Sequence, residues 1–223
     1  LRRCRHGLSK LLLGHGIRLE DGDAWTDRHR QWLNTVQLEW PAAQATLLDC
    51  RGAIDQLAHR RDGLERQIAA ILPDSPWRAQ VGLLRCLRGL DTLSAVGLCA
   101  EVGDFERFGR AEQLMSYLGL VPSESTTGQQ RRLGSITKTG SGHARRLLVE
   151  AAWHYRPRPS IGKSLAERHA DQPPAAVAVS WTAQKRLHRT WARLEARGKR
   201  RTIIAVAAAR ELAGFCWAIT QIE

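Results

Sequence analysis

Patterns for pairing cysteines or binding a metal are missing from this sequence of 223 residues. Its five cysteines are an odd number, and none lies in a Cys-x-x-Cys motif or near histidine at zinc-site spacing. This argues against a disulfide-bonded secreted scaffold and against a zinc finger. We expect the cysteines to be small buried hydrophobic residues in a reducing compartment, and we expect no metal ligand in this chain.

Long apolar runs are also missing. The longest one, Ile203 to Ala209, ends at Arg210 and Glu211 and is too short to span a bilayer. No signal peptide is visible, and Leu1 opens the chain within a helical pattern and without a methionine. The sequence therefore predicts no membrane association, and we expect it to be a fragment of a longer protein.

Acidic residues are scarce relative to basic ones. Lys and Arg number 34 against 22 Asp and Glu, a formal net charge of +12, and the run from Gly128 to Val149 contains no acid. Such an excess indicates a polyanionic partner, with nucleic acid as the first candidate and a basic solvated surface as the alternative. The hydrophobic share, 43%, is enough for one large core or two small ones.

Helical periodicity dominates, so the sequence predicts a mostly α-helical protein. Residues 1–76 are expected to form a helical linker or coiled-coil part, and residues 77–223 a compact helical domain. In the first part, apolar residues alternate at spacings of three and four, which is a heptad pattern. Its members are Leu47, Cys50, Ile54, Leu57, Arg61, Leu64, Ile68 and Ile71. Either the buried edge of a helical bundle or an intermolecular coiled coil would produce this pattern, although Arg61 counts against a long dry coiled coil.

Residues 81–104 resemble a helix-hairpin-helix unit, with a tight turn at Gly89, Leu90 and Asp91 before a helix that starts at Thr92. In such units backbone N–H groups point at a DNA phosphate without reading sequence, so Gly89 is a candidate nucleic-acid contact. Asp91 stands where the usual hairpin has a second glycine, and its charge would repel a phosphate. The alternative is a helical hairpin that only packs.

The stretch from Gly119 to Trp153 combines hydroxyls, glycines and arginines, and we expect a loop held between helices, with Pro122 ending the preceding helix. A hydroxyl on a glycine-flanked turn can attack phosphorus if a base takes its proton and cations neutralise the phosphate. The candidate nucleophiles are Ser125, Thr126 and Thr127, and the candidate phosphate-binding residues are Gly128, Arg131, Arg132, Lys138, His143, Arg145 and Arg146. His143 is also the nearest candidate base, and a solvated linker with basic decoration is the alternative for the whole stretch.

A second basic face is predicted on a helix around Trp181 to Ala196, where Lys185 and Arg189 are candidate nucleic-acid contacts. Trp181 could stack on bases, whereas Trp191 belongs to the apolar side of this helix. A solvated basic helix is the alternative. The last helix, Ile203 to Ile219, is apolar nearly all round and is expected to be the most buried element of this half.

Several segments together resemble a known family. They are GLVPSE from Gly119, STTG with Arg131-Arg132-Leu133-Gly134, SITKTG, HARRLLVEAAWHY, the upstream GLDTLSAVGLCAEVGDF, and the downstream IGKSLAERHADQPP and TIIAVAAARELAGFCWAI. They resemble the C-terminal transposase domain of the insertion-sequence one-ten family, which are bacterial DNA transposases similar to pilin-gene invertases. The resemblance covers essentially the whole chain.

This resemblance implies a split active site. In the family an N-terminal nuclease-like domain supplies acidic residues and Mg²⁺, and the C-terminal domain supplies a serine that joins covalently to DNA. We expect the acidic domain to be absent from this sequence, since Leu1 falls after the region where the last aspartates of the family would lie. The family commonly has paired serines before glycine, where this chain has Thr126 and Thr127 before Gly128 and Ser125 one place earlier.

The resemblance also implies the protein's setting. We expect the C-terminal part of an insertion-sequence transposase, inactive by itself because the metal-binding domain is missing. The implied partners are DNA, a structured guide (bridge) RNA and further copies of the intact protein, in the bacterial cytoplasm at the nucleoid. The alternatives are a non-catalytic helix-hairpin-helix module that binds nucleic acid and an inactive transposase relic.

Overall fold

The computed structural model describes residues 1–127 and 130–222, with the backbone alone described at residues 125–127 and 130–133. The chain divides into two compact units, residues 1–70 and 71–223. The described residues form ten α-helices and one two-stranded sheet. The prediction of a mostly α-helical fold is confirmed.

The first unit consists of α1 (Arg2–Gly14), α2 (Asp27–Thr35) and most of α3 (Pro41–Ile71). Its core includes Leu8, Leu33 and Leu47, none more than 4% exposed. The heptad pattern of α3 is buried only in its first half, at Leu47 and Ile54, whereas Leu64 and Ile71 are 50% and 66% exposed. The bundle-edge interpretation therefore holds for the first half of the helix.

The second unit carries the remaining helices and the sheet. These are α4 (Arg78–Leu84), α5 (Thr92–Val102), α6 (Ala111–Tyr117), β1 (Pro122–Thr127), β2 (Gln130–Ile136), α7 (Gly142–Ala152), α8 (Lys163–His169), α9 (Pro174–Ala196) and α10 (Arg201–Thr220). Helix α10 packs against α4, α6, α7 and α9. Its buried face belongs to the same cluster as Trp191 of α9, which is 1% exposed, so the last helix is the centre of this core as its composition predicts.

The structure corrects one local prediction. The first part of the hydroxyl-rich stretch is an antiparallel hairpin of β1 and β2, not a loop, and Pro122 begins a strand instead of ending a helix. The preceding helix ends earlier, at Tyr117, and Gly119 follows with a φ of 64°. Serine, threonine and glycine are typical of loops, but threonine is β-branched, and pairing with a second strand satisfies the backbone groups.

Two helix boundaries also differ from the expected ones. Helix α9 begins at Pro174, because proline lacks an N–H and is accommodated in the first turn of a helix. The spacing of Phe105, Phe108, Leu114 and Leu118 predicts one amphipathic helix. The two phenylalanines instead precede α6, and both are buried in the core of this unit.

Helix α10 alone, among the described residues, is long and apolar enough to cross a membrane by length and composition. It exceeds the apolar run recognised in the sequence because Arg210 and Glu211 interrupt that run without ending the helix. Half of its apolar stretch is buried inside the fold. The core helix of a folded protein meets the same criterion, and α10 is such a helix here.

Candidate nucleic-acid interface

The hairpin places a hydroxyl-bearing strand beside an arginine-bearing strand. In the backbone register Ser125 is paired with Arg132, and Thr126 with Arg131. The side chains of these four residues lie outside the described part of the chain, and so does Gly128. What the structure provides is therefore the pairing of the two backbones, which joins the candidate nucleophiles and two candidate phosphate ligands in one element.

The base of this hairpin is a close crossing of two chain segments. Thr137 N donates to Val121 O at 2.9 Å, and Lys138 N donates to Gly119 O at 3.0 Å. A Cβ on Gly119 would lie 2.3 Å from Thr139 O, and one on Gly140 would lie 2.1 Å from Tyr117 O. Only residues without a side chain permit this approach, and both glycines have positive φ angles.

Arg145 is part of the same crossing. Its Nη1 donates to Leu118 O at 3.0 Å and to Gly140 O at 3.2 Å, and also to Thr139 O. The guanidinium thus links α7 to both segments at the base of the hairpin, and it is only partly exposed. Arg145 holds the hairpin base in position, a role that its place in the basic run does not indicate.

His143 lies next to an acid contributed by α5. Its Nδ1 is 3.0 Å from Glu101 Oε1. Ser141 caps α7 by accepting from Ala144 N at 3.0 Å. Hydrogen bonding from Ser141 first, and then from His143, holds the pKa of Glu101 below its ordinary value. A carboxylate that accepts from histidine fixes the orientation of the ring, so His143 is an oriented imidazole at the start of α7.

The two other cations of this region are exposed. Lys138 has a φ of 59°, which is uncommon for a residue with a side chain, and it follows the second strand. Arg146 Nη1 lies 3.3 Å from Glu150 Oε1 one turn along α7, with both side chains more than half exposed. Both remain accessible to a polyanion, since a surface ion pair of this kind is weak.

The turn between α4 and α5 uses its special residues for packing and capping. Gly89 has a φ of 87°, and a Cβ there would lie 2.6 Å from Ala151 O. Asp91 is the N-cap of α5, and its Oδ1 accepts from Ser94 N at 2.8 Å. A carboxylate thus occupies a backbone N–H that a helix-hairpin-helix unit would offer to phosphate. This favours a packed hairpin over backbone capture of DNA at this turn.

Helix α9 presents a basic face. Lys185 and Arg189 are both exposed, and the Lys185 ammonium lies 6.0 Å from the ring centroid of Trp181, which is 37% exposed. Arg186 already forms an ion pair within the protein, because its Nε donates to Glu211 Oε2 at 2.9 Å. The surface of α9 therefore offers separate cations and one accessible indole.

The sequence did not indicate that Glu101 belongs to this region. Glu101 lies 42 positions from its partner His143, so neither spacing nor composition joins them. Among the residues that the structure describes, no three His, Cys, Asp or Glu side chains are grouped as metal ligands would be.

Comparisons with known proteins show that this chain is similar to transposases. Residues 81–165 match the family model described as Transposase IS116/IS110/IS902 family. A putative transposase y4qE of Sinorhizobium fredii is 39% identical over 221 residues, which covers 99% of this chain and 53% of that relative. A transposase for insertion sequence element IS1533 of Leptospira borgpetersenii is 29% identical over 202 residues, covering 90% of this chain and 58% of the relative. The chain thus spans somewhat more than half the length of these curated relatives, and the resemblance to insertion-sequence transposases is confirmed.

Proposed function

From the premise that this chain carries the transposase domain of the IS116/IS110/IS902 family at residues 81–165, we propose that it is the DNA-engaging part of an insertion-sequence transposase. In this proposal it binds DNA and supplies a hydroxyl nucleophile for strand cleavage and exchange. The observation that carries the proposal is the backbone pairing of Ser125 with Arg132 and of Thr126 with Arg131 in one hairpin.

The proposed step uses one hydroxyl of Ser125, Thr126 or Thr127. Its oxygen attacks phosphorus, its proton passes to a base, and the bond from phosphorus to one deoxyribose oxygen breaks. The strand is then held as a phosphodiester with the protein, and a sugar hydroxyl can reverse the attack to join a new strand. Cations on the neighbouring strand would neutralise the charge that develops on the phosphate.

The elements around the hairpin would hold it in place for this step. The glycine crossing and Arg145 join its base to α6 and α7. A nucleophile acts efficiently only when its position is fixed by rigid supporting elements, and two helices provide them here. Lys138, Arg146 and the exposed cations of α9 would extend the contact with the phosphate backbone.

Mg²⁺ would be held elsewhere in the intact protein. The described residues of this chain group no set of acids for it. We assign the ion to the acidic domain that the family resemblance implies, where it would activate the leaving or attacking oxygen. We also assign to the intact protein a guide RNA, a multimeric state and a location at the bacterial nucleoid.

Binding and covalent chemistry need separate experiments. The Arg131→Ala/Arg132→Ala double variant is expected to reduce the slope of log Kd against log salt for a DNA duplex by about 2, since each phosphate contact contributes about 0.9. An unaltered slope would remove the hairpin from the interface. Lys10→Ala, in α1, is a control that removes a positive charge from an exposed position outside the second unit.

For the nucleophile, the chain is completed with the acidic domain of a relative and incubated with insertion-sequence ends and Mg²⁺. A covalent protein–DNA adduct should form and should map by peptide mass to residues 122–128. Substituting Ser125, Thr126 and Thr127 with alanine one at a time identifies the hydroxyl that reacts. Absence of an adduct from a complex that cleaves DNA would favour a non-catalytic nucleic-acid-binding module, and cleavage by this chain alone would refute the split active site.

A further inference from the structure

A basic pocket lies on the second unit, away from the hairpin. Its volume is about 730 Å³. Four cationic side chains line it against two acidic ones. The cations are Arg85 and Arg88 from the turn after α4 and Lys163 and Arg168 from α8, and the acids are Asp91 and Glu167.

The fold holds two of these arginines close together while leaving hydrogen-bond donors unused. Arg168 Nε donates to Ser164 O at 3.2 Å, and its Nη1 donates to Leu90 O. Burial, and then the charge of Arg85, lowers the pKa of Arg168. Arg85 Nε is buried without a hydrogen-bond partner. Arg85 and Arg168 also line the same pocket with like charges, so an anion with several acceptor oxygens would stabilise the pair.

The acids at the pocket offset only part of this charge, although the carboxylate of Asp91 attracts Arg168. Asp91 uses Oδ1 to cap α5, where it accepts from Ser94 N at 2.8 Å. In the part of the chain that the structure describes, none of the four cations forms an ion pair with a carboxylate. The pocket therefore keeps an excess of positive charge around a concave surface.

We propose that this pocket binds a phosphate group of the DNA backbone through the side chains of Arg85, Arg88, Lys163 and Arg168. The inference rests on the proposed function and adds a second DNA contact to it. Guanidinium groups match phosphate oxygens with paired N–H donors, and Lys163 adds a point charge at the rim. His154 is the one ring among the lining residues, so the pocket offers little surface for stacking a nucleobase and would bind DNA without reading its sequence.

The hairpin base and the pocket lie near opposite ends of one helix. Helix α7 joins them: Ser141 at its start follows the hairpin base, and Ala151 near its end contacts Gly89 beside the pocket. A helix of 11 residues is about 16 Å long. A DNA segment that contacts both sites would have to cover about five base pairs at this separation.

The test compares salt slopes for a fluorescent DNA duplex of about 30 base pairs, a length that spans both sites. Lys163→Gln and Arg85→Gln are each expected to reduce the slope by about 1 and the double variant by about 2. The side chain of Lys163 is exposed and makes no hydrogen bond in the described residues, so its variant should fold normally. Lys163→Arg should retain wild-type binding because the charge is kept.

The control is Lys10→Gln, which removes the same charge from an exposed position in the first unit. Slopes for the pocket variants equal to that of the control would overturn the inference. If Arg131 and Arg132 variants still weakened binding in that case, the proposed function would stand without the pocket. If the wild-type chain bound no DNA, both would fail. An effect of the pocket variants on a duplex RNA of the same sequence but not on DNA would also overturn the assignment.

Discussion

His143 Nδ1 lies 3.0 Å from Glu101 Oε1, and this contact joins the first turn of α7 to the last turn of α5. The two helices also pack through Gly97, where a Cβ would lie 2.9 Å from Leu147 Cδ1. The contact therefore sits at the end of a close helix–helix interface. It gives the start of α7, and with it the base of the hairpin, a fixed position on the core of the second unit.

Replacing Glu101 with Gln should change how stability depends on pH. The folded-state pKa of Glu101 is lowered from its ordinary 4.5 by hydrogen bonds from Ser141 and His143. The stabilisation is therefore complete above that value and is lost as pH falls through the lower folded-state value. Melting temperatures should differ between wild type and Glu101→Gln at neutral pH and converge as pH falls below the folded-state pKa, which lies under 4.5. Glu106→Gln is the control, and a difference that persists at low pH would contradict this account.

Replacing Gly119 or Gly140 with Ala should destabilise the second unit by more than about 2 kcal/mol, as measured by urea unfolding. Each variant adds a Cβ within 2.3 Å of a backbone oxygen, at a residue whose φ is positive. Gly198→Ala is a matched control, because its φ is 68° but no atom lies within 4 Å of the added Cβ. The control should cost about 1 kcal/mol from backbone strain alone. Equal losses in the three variants would show that the crossing relaxes without cost.

Arg145 and Arg146 are adjacent in sequence but should respond differently to substitution. Arg145→Ala removes a donor to Leu118 O and Gly140 O and should lower the free energy of unfolding by about 1 to 3 kcal/mol. Arg146→Ala breaks only an exposed pair with Glu150 and should change it by less than about 0.5 kcal/mol. Denaturant unfolding of both variants checks this. Similar values would place Arg145 on the surface with its neighbour.

The five cysteines should separate into two classes of reactivity. Burial raises the pKa of the Cys86 thiol to about 11 and that of Cys99 to about 12, and it also raises the pKa of Cys216. Thiolate is the reactive form, so a thiol reagent at neutral pH should modify Cys4 and Cys50 in the native protein. The three others should react only after unfolding, as counted by mass spectrometry. Rapid native modification of Cys216 would contradict the packing around α10.

The helices could largely be recognised from sequence because their signals are local. Thr26 caps α2 by accepting from His29 N, and Asp91 caps α5, each at the position where its residue type predicts a helix start. Trp191 and the last helix are buried as their apolar spacing indicates. The hairpin could not be recognised, because its serines, threonines and glycines have the composition of a loop and its pairing depends on a second strand.

The sequence by itself determined the helical class, the basic charge and the family, since periodicity, composition and motif order are properties of the chain alone. Tertiary structure decided which charged groups serve the fold and which remain accessible to a partner. Arg145 donates to Thr139 O and Gly140 O, which are close in sequence, and to Leu118 O, 27 positions away. Arg85 and Arg168, by contrast, line one pocket from distant segments. Side-chain charge is the same in each case. Only the neighbours that folding brings within hydrogen-bonding distance distinguish these residues.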